Sequence, residues 1–476
     1  DALERYLPAE TMRASLPYLG HCLNLPLEPD LQEQIRYLDA EALQRQVYVA
    51  IGGLIEAVAR SDPAPLVVAL DDLHWMDQAS QGLLEHLMPL VNQVPLMLLL
   101  IYRPERAKAC WQVREKAARE FPHATSEIAL QPLPAEHGRQ LLENLVGIED
   151  WPPQIHALLI ERAEGNPLYL EEVLRALIDD GVLVQGADGR WRVGSDVDAI
   201  RVPDTLQGVL MTRLDRVEEG SRWTAQVASV IGRVFTLEVL GQIHDASGAQ
   251  LNQYLVALQR YEIVHETQRA PELVYSFKHG MMQEVCYRSM LTRNRRTYHR
   301  KIAQYLAEKQ SADHLESESH DALIAHHAFV GQDWARALRY QFLAGRQAQK
   351  LFANHEAIDH FRKALESAEN LGVDATAAQR LTIHMELGEL LTLTSQYEAA
   401  RDHLDQAFSL AAERGNRDAQ AHICRWLARM QERLGEYPAA LEQVDRGLAI
   451  LDRAETAEAA ELRLIAGLIR TRHGDY

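Results

Sequence analysis

Two adjacent carboxylates follow an apolar run in the first part of the chain. Asp71 and Asp72 come directly after residues 65–70, which are continuously apolar, as the strands of buried parallel sheets are. In nucleoside-triphosphate hydrolases a carboxylate at this end of a strand holds the Mg²⁺ that bridges two phosphates, and a second acid can polarise the attacking water. On this interpretation Asp71 is a metal ligand and Asp72 is catalytic. The alternative is that both acids only end the strand and are solvated.

A cation follows the next apolar run. Residues 95–102 predict a second strand, and Arg103 comes directly after them. The carboxyl ends of parallel strands meet at one edge of a sheet, so Arg103 should face the same edge as the acids, where it could sense a γ-phosphate. An ion pair with Asp71 or Asp72 is the alternative. Between the runs, Asp77 is placed to cap an amphipathic helix, which predicts a βαβ unit.

Composition limits the class of protein. The 476 residues are 47% hydrophobic and 25% charged, which is typical of globular proteins of about three domains. The net charge of −19 excludes a protein that binds polyphosphates over its whole surface. Four widely separated cysteines exclude a disulfide scaffold and a zinc cluster, and they predict a cytoplasmic location. The apolar runs are too short to span a membrane, so we expect no membrane contact.

Several further elements are predicted from local patterns. Gly165-Asn166-Pro167 should end one helix and begin the next, because proline fits in the first turn of a helix. Residues 201–310 alternate helices with short strands, a pattern that favours a winged-helix module. The other predicted elements are a helix over 36–60, a weak strand at Ile128–Leu130, a hairpin with strands 182–184 and 191–193 around a turn at 186–189, and strands at 262–265 and 274–277.

The last third of the chain is an array of repeats. Small residues recur nine before, three after and ten after an anchor position. They are Ala325, Ala337 and Ala344 around Trp334; Gly345, Ala357 and Ala364 around Asn354; Gly388, Ala400 and Ala407 around Tyr397; and Ala428, Ala440 and Gly447 around Tyr437. Small residues at these offsets allow two antiparallel helices to touch, and the pattern matches tetratricopeptide repeats. The interval between Trp334 and Asn354 is short, so one helix there should serve two units.

Several motifs in order resemble one family. The segment LDDLHWMD (70–77) resembles the Walker B segment of the signal-transduction ATPases with numerous domains (STAND ATPases) of the AAA type. Residues 102–105 resemble the sensor segment of that family, and 165–172 resemble its Gly-x-Pro segment. Residues 201–206, 230–235 and 277–282 resemble the winged-helix segment that follows. The resemblance covers residues 40–310, and tetratricopeptide repeats are usual C-terminal partners of this family.

The resemblance implies a fold and a set of domains. The fold is an α/β nucleotide-binding core with an incomplete parallel sheet, then a helical lid and a winged helix, and finally an all-α tetratricopeptide solenoid. The implied domains are 1–133 for part of the ATPase core, 134–200 for the lid, 201–312 for the winged-helix-like domain and 313–476 for the repeats. The implied cofactors are ATP or ADP and Mg²⁺.

The resemblance also implies binding roles for residues of the lid and the winged helix. Pro167, with Gly165 and Asn166, would lie against the adenine, and His279 would touch the bound diphosphate. The alternative is that His279 has its hydrogen-bond partners within the wing and does not touch the nucleotide. His74 and Trp75 are expected to pack the turn after the strand. We expect Asp71, Asp72, Arg103 and Pro167 to surround a common cleft.

The sequence departs from the family at the phosphate-binding loop. No G-x-x-x-x-G-K-[ST] motif occurs in the 476 residues, and that loop supplies the backbone N–H groups and the lysine that hold the phosphates. Both ends of the sequence look cut, so truncation before Asp1 is one explanation, and a degenerate relative is the other. ATPase activity is therefore expected of a full-length parent and not of this chain alone.

A basic cluster interrupts the acidic composition. It consists of Arg288, Arg293, Arg295, Arg296, Arg300 and Lys301. Beside a winged helix it could contact a DNA backbone, but a solvated helix face, or a surface that docks the acidic repeats, is the preferred interpretation. Direct nucleic-acid binding is therefore not expected.

The favoured function is an ATP-dependent switch in a multidomain bacterial regulator linked to a cyclase, a kinase or a transcription regulator. ATP would favour an open, oligomerising state, and the repeats would bind a protein or peptide. One alternative is an interaction scaffold with a degenerate ATPase core. The other is a DNA-binding regulator that acts through residues 201–310.

Overall fold

The computed structural model of the chain describes residues 5–23, 25, 27–36, 38, 40–106, 108–146, 153–186, 191–193, 203–270, 272–312, 320–351, 353–372, 376–451 and 456–473. These residues are mostly helical and fall into two compact units. The first unit comprises 1–127, 317–329 and 334–476, and the second comprises 128–316 and 330–333. The predicted domains 134–200 and 201–312 thus lie within one compact unit.

The first unit begins with a small α/β part. Its elements are α1 (Ala9–Cys22), α2 (Pro29–Arg36), α3 (Ala40–Ser61), β1 (Leu66–Leu70), α4 (Gln78–Leu87), β2 (Leu96–Leu100) and α5 (Ala109–Glu120). Strands β1 and β2 pair in parallel from Leu66 opposite Leu96 to Leu70 opposite Leu100. The helix between them begins where it was predicted, because the Asp77 carboxylate accepts a hydrogen bond of 2.6 Å from the Ser80 N–H.

Only one face of this two-stranded sheet is covered by described residues. Leu98 and Leu100 pack against a cluster that contains Leu84 of α4 and Val113 of α5. On the opposite face Met97 and Leu99 are exposed. The prediction that both faces of the strands are covered is therefore wrong for the described part of the chain. The side chains alternate between the two faces, so covering one face buries only every second residue.

The predicted strand at Ile128–Leu130 is also wrong. Residues 128–130 form neither a helix nor a strand, and β1 and β2 pair with each other alone in their sheet. Ile128 and Leu130 are 83% and 90% exposed. An apolar run of three residues forms a strand only where a neighbouring strand pairs with its backbone.

The second unit combines helices with two small sheets. Its elements are α6 (Ala135–Val146), α7 (Pro153–Ala163), α8 (Pro167–Asp179), β3 (Leu183–Gln185), β4 (Trp191–Val193), α9 (Leu206–Asp215), α10 (Glu219–Ile231), β5 (Val234–Thr236), α11 (Leu237–Ile243), α12 (Gly248–Arg260), β6 (Val264–Gln268), β7 (Val274–Phe277), α13 (Gly280–Ser289) and α14 (Thr292–Ala312). Strands β3 and β4 form the predicted antiparallel hairpin. Residues 187–189 of its predicted turn, and 201–202 of the winged-helix segment, lie outside the described residues.

The second sheet of this unit is antiparallel and has the order β5–β7–β6. Strand β7 is where it was predicted, but β6 begins two residues later than expected. The cause is a turn after α12: Glu262 has a positive φ of 51°, and the Ile263 N–H bonds back to the Leu258 carbonyl. Strand β5 was not predicted, because its three residues show no alternating pattern and, unlike those of the β3–β4 hairpin, are not joined to a partner strand by a short turn.

The C-terminal part of the chain is all-helical and repeat-like. Its helices are α15 (Asp321–Val330), α16 (Trp334–Lys350), α17 (Asn354–Leu371), α18 (Ala377–Leu393), α19 (Tyr397–Glu413), α20 (Arg417–Leu434), α21 (Tyr437–Ile450) and α22 (Ala457–His473). The anchors Trp334, Asn354, Tyr397 and Tyr437 are each the first residue of a helix. Tyr476, which has Gly467 nine residues before it and so continues the same register in the sequence, lies outside the described residues.

The small residues of the repeats lie where paired helices touch. Ala400 and Ala407 of α19 are fully buried in one core with Leu387 of α18. A Cβ added to Gly388 of α18 would lie 2.5 Å from the Cδ2 atom of Leu404. The helix–turn–helix packing expected from the offsets is therefore confirmed at these residues.

Candidate functional site

The two acids and Arg103, here called the strand-edge group, lie at one edge of the β1–β2 sheet. Asp71 is one residue beyond β1, and Arg103 is three residues beyond β2, which ends two residues earlier than predicted. The Leu73 N–H donates to the Ile101 carbonyl at 3.1 Å, so the segments that follow the two strands remain in contact. Parallel pairing in register is the reason that the three side chains share an edge.

The two carboxylates of the strand-edge group have different surroundings. One oxygen of Asp71 accepts a hydrogen bond of 2.8 Å from the Asp72 N–H. Asp72 has a positive φ of 56°, which is sparsely populated by residues other than glycine. Its side chain is exposed to solvent, and its Oδ1 atom lies 3.9 Å from Nδ1 of His74. A left-handed residue directly after a strand is the kind of local strain that often marks a functional site.

Arg103 makes no ion pair with either acid. Its side chain is exposed, and within the described ranges no carboxylate oxygen lies within 4 Å of its guanidinium. The ion-pair alternative is therefore wrong for this structure. Arg103 remains free to meet an anion from solution.

His74 and Trp75 differ from each other. His74 is buried, as predicted, and neither of its ring nitrogens has a hydrogen-bond partner among the described residues. Trp75 is 75% exposed, so the prediction that it packs the turn is wrong. The two rings contact each other with centroids 4.7 Å apart.

The second predicted set consists of Gly165, Asn166 and Pro167 with His279, and it is called the α8 group here. Gly165 has a positive φ of 76°, and a Cβ there would lie 2.6 Å from the backbone of Leu133. The Asn166 side chain accepts a hydrogen bond from the Leu168 N–H at 3.0 Å, and Pro167 is the first residue of α8. The break and restart predicted for this segment are confirmed, because each residue type has the conformation that it favours.

His279 lies beside Glu172, a residue of α8. The Nε2 atom of His279 lies 3.9 Å from Oε1 of Glu172, which is fully buried. Burial lowers the pKa of His279, although the negative charge of Glu172 opposes that effect. Neither of these two atoms has a hydrogen-bond partner among the described residues. His279 therefore lies beside the helix that begins at Pro167 without a hydrogen bond to its Glu172 side chain.

Sequence analysis missed the ion pair behind this contact. Glu172 pairs with Arg213 of α9 at 2.5 Å, and both side chains are buried. Arg213 also donates to the Tyr261 carbonyl, and Arg175 pairs with Glu262 at 2.6 Å. The sequence contains one signal of this ion pair, because Glu172 lies on the apolar face of α8. A carboxylate buried there is unfavourable unless a buried cation pairs with it.

An open cavity of about 300 Å³ lies beside this network. Helices α6 and α8 and the turn after α12 form it. Its lining contains charges of both signs among apolar side chains: Leu145, Val146, Glu171, Leu174, Arg175, Ile178, Asp179, Arg260, Tyr261 and Glu262. Neither Pro167 nor His279 lines it.

The basic cluster is largely used inside the second unit. Four of its six cations have contacts there: Arg288 with Glu284, Arg295 with the ring of Tyr287, Arg300 with the Gly331 carbonyl, and Lys301 with Asp245. The side chains of Arg293 and Arg296 have none among the described residues. These contacts support a structural role for the cluster more than a DNA-binding one.

Two kinds of feature are absent from the described residues, a cluster of metal ligands and a membrane-spanning helix. No set of three or more His, Cys, Asp or Glu side chains is arranged to hold a metal ion. In the same ranges, no helix is both long and apolar enough to cross a membrane. Mg²⁺ that is bridged to phosphates needs only one or two carboxylates, so the first result does not bear on Asp71.

Comparison with known proteins matches separate parts of the chain. Residues 353–472 match a family model described as the C-terminal domain of Suppressor of spindle checkpoint defect 1. Residues 134–192 match a domain of unknown function, DUF8739. Each model covers less than half of the chain.

A relative and a solved structure are also similar to this chain. An uncharacterized protein of Rhizobium meliloti (strain 1021) is 25% identical over an alignment of 387 residues, and the match covers 79% of this chain and 35% of the relative. The chain thus spans about a third of the length of that relative. The solved structure is a STAND protein with a tetratricopeptide repeat sensor from Pyrococcus horikoshii. It is 14% identical with a TM-score of 0.37, covering 97% of this chain and 67% of that chain. A TM-score of 0.37 is too low to establish that the two chains share a fold.

Proposed function

We propose that this chain is part of an ATP-dependent signal-transduction switch of the STAND type, in which the helical repeats receive a protein or peptide signal. The main support is the strand-edge group: two acids and an unpaired arginine lie at one edge of a parallel sheet. This is the edge at which open α/β sheets bind their ligands. A cytoplasmic location and a link to a cyclase, a kinase or a transcription regulator are parts of the same proposal.

The strand-edge group has free ligand atoms for Mg²⁺ and a γ-phosphate. One oxygen of Asp71 accepts a backbone hydrogen bond, and the other forms no hydrogen bond or ion pair with a described residue. Asp72 is solvent-exposed, and Arg103 has no counterion in the same part of the chain. We assign Asp71 to Mg²⁺, Asp72 to the attacking water and Arg103 to the γ-phosphate. ATP, when bound, supplies the phosphoryl group whose transfer to water drives such switches. The loop that would cradle the phosphates is not among the 476 residues.

The α8 group has an assigned role as well. Pro167 would pack against the adenine beside Gly165 and Asn166, and His279 would approach the diphosphate. Glu172 supports this assignment, because its contact with His279 would transmit a displacement of the histidine to α8. A nucleotide shifts such an equilibrium only if it binds the two states with different affinities.

The test is the Asp72→Asn variant in the natural protein that contains these residues. We expect ATP binding to persist while phosphate release falls by about 10²-fold or more, because the water loses its orienting carboxylate. Asp62→Asn is the matched control: Asp62 lies before β1, at the opposite end of the strand, and caps only a local turn. Unchanged phosphate release in Asp72→Asn would remove Asp72 from this role.

The absence of the phosphate-loop motif favours a second candidate, an interaction scaffold that does not hydrolyse ATP. Titration of the 476-residue chain with a fluorescent ATP analogue is expected to show weak or no binding. Micromolar binding would show that the motif is dispensable. If the natural protein also fails to bind ATP, the scaffold is the better interpretation.

A further inference from the structure

Three arginines form a stripe along one face of α20. Arg425, Arg429 and Arg433 are spaced by four residues, so their side chains lie one above another on the helix. The opposite side of α20 carries buried residues such as Leu427 and Met430. The stripe, called the α20 stripe below, is therefore on the side of the helix that does not enter the repeat core.

The helices on either side of the stripe are identified by His422, which lies on the same face of α20. Its Nε2 atom is 2.6 Å from a carboxylate oxygen of Glu389 in α18, and its Nδ1 atom is 3.3 Å from Glu458 in α22. The face that carries the stripe thus lies between α18 and α22. These three helices form a continuous surface of the repeat array.

The stripe carries more positive charge than its neighbours neutralise. Arg425 is paired with Glu458, but Arg429 and Arg433 form no ion pair within 4 Å in the described part of the chain. Arg429 is half-buried, and its pKa is lowered by burial and then by the nearby charges of Arg433 and Arg425. Glu461 of α22 opposes this effect but does not reach pairing distance. Two cations are left without counterions in a chain whose net charge is −19.

A buried tryptophan holds two of these guanidinium groups. The guanidinium carbons of Arg425 and Arg429 lie 5.4 and 5.5 Å from the ring centroid of Trp426, which is only 7% exposed. Cation–π contacts of this kind restrict the arginine side chains. Less conformational entropy is then lost when an anion binds them.

We propose that Arg429 and Arg433 of the α20 stripe bind an acidic segment of a partner protein. The planar guanidinium group suits carboxylate side chains, which it can bind through two hydrogen bonds. The net negative charge of the chain repels an acidic segment from most of its surface, so binding is directed to this cationic face. The proposal rests on the role assigned above to the repeats as the part that receives the signal, and it specifies the chemistry of the ligand.

The experiment measures fluorescence anisotropy with the full 476-residue chain and a fluorescein-labelled hexaglutamate peptide. Hexaglutamine with the same label is the matched probe. We expect the glutamate peptide to bind about tenfold more tightly, and this difference to shrink in high salt because exposed charges are screened. Equal binding of the two peptides at low salt would overturn the proposal.

Two variants locate the site. Arg433→Glu should weaken binding of the glutamate peptide by about tenfold, since it replaces attraction by repulsion. Arg433 is exposed, so the variant is expected to fold, and circular dichroism checks this. Arg414→Glu, at the exposed end of α19, makes the same charge change away from the stripe and should have little effect. Arg429→Gln removes the half-buried charge without reversing it and should also weaken binding. Unchanged affinity in both stripe variants would contradict the proposal.

Two further measurements separate this proposal from others. The first is peptide binding by the Asp72→Asn variant, measured without nucleotide. This variant should bind the peptide as tightly as the unaltered chain does. Failure of the ATPase proposal would therefore not affect the peptide result. A short DNA duplex that displaces the peptide at equal or lower concentration would overturn the assignment to an acidic peptide.

Discussion

Glu172 and His422 are side chains that pair with residues from other helices. Glu172 is fully buried and is stabilised by Arg213, because an isolated carboxylate would be strongly unfavourable there. His422 presents the reverse case. Burial alone would lower its pKa, but hydrogen bonds to Glu389 and Glu458 outweigh burial and raise the pKa to about 9. His422 is therefore a cation at neutral pH and links three helices of the repeat array.

This linkage predicts a pH-dependent stability. Because the pKa of His422 is higher in the folded state, its contribution is fully present below pH ~6.5, the value for an unperturbed histidine, and is lost as pH rises through about 9. We expect His422→Gln to lower the free energy of unfolding by about 1–3 kcal/mol at pH 6 and by much less at pH 9.5. Urea denaturation at the two pH values measures the difference.

The control for this prediction is His355→Gln, at an exposed position of α17. It should show no comparable dependence on pH. If the difference between the unaltered chain and His422→Gln is the same at pH 6 and pH 9.5, the contacts with Glu389 and Glu458 do not stabilise the array.

Helix α18 shows how a single glycine sets the distance between two elements. Gly388 faces Leu404 of α19, which is fully buried and cannot move into solvent. The close approach allows the two helices to share one core with Leu387 and Ala400. Gly467 of α22 stands nine residues before Tyr476 in the sequence, as Gly388 stands nine before Tyr397, but no described neighbour lies within 4 Å of the place its Cβ would occupy.

These two glycines form a matched pair of variants. Gly388→Ala is expected to lower the free energy of unfolding by about 1–3 kcal/mol, because the new methyl group overlaps Leu404. Gly467→Ala should instead raise it by up to ~1 kcal/mol, since alanine favours the helix and meets no neighbour. Thermal denaturation followed by circular dichroism measures both changes. Equal effects of the two substitutions would contradict the close approach at Gly388.

At the scale of the whole molecule, charge is distributed unevenly. The chain carries a net charge of −19, yet the α20 stripe and the basic cluster of the second unit are both cationic. In the basic cluster most of the charge is engaged by Glu284, Asp245, a carbonyl and an aromatic ring. In the α20 stripe, Arg429 and Arg433 form no ion pair with the residues that the structure describes. The two regions are therefore expected to behave differently towards anions.

This difference predicts little affinity for DNA. We expect the basic cluster to contribute no binding of the 476-residue chain to a duplex in 150 mM NaCl, because Arg293 and Arg296 are the two of its six cations that have no contact with described residues. Reversing both charges should leave this result unchanged. Salt-dependent binding that is lost in Arg293→Glu/Arg296→Glu would instead favour a DNA-binding role for the second unit.

Features determined by neighbouring residues could be predicted from the sequence. The helix start at Pro167 depends on Asn166 and Pro167 themselves, and the starts at Tyr397 and Tyr437 follow from a spacing of small residues. Strands β1 and β2 were predicted from their apolar runs. The shared edge of Asp71 and Arg103 then followed from the geometry of parallel strands.

Only the tertiary structure decided which of these groups have partners. Among the described residues Arg103 and Arg429 have no counterion, and His279 lies beside Glu172, although none of these facts follows from local spacing. The segment Ile128–Leu130 was predicted as a strand because its sequence favours one, yet no described strand pairs with it. Helix starts and strand runs depend on interactions within a few residues, whereas pairing and burial depend on contacts such as Glu172 with Arg213, 41 positions apart.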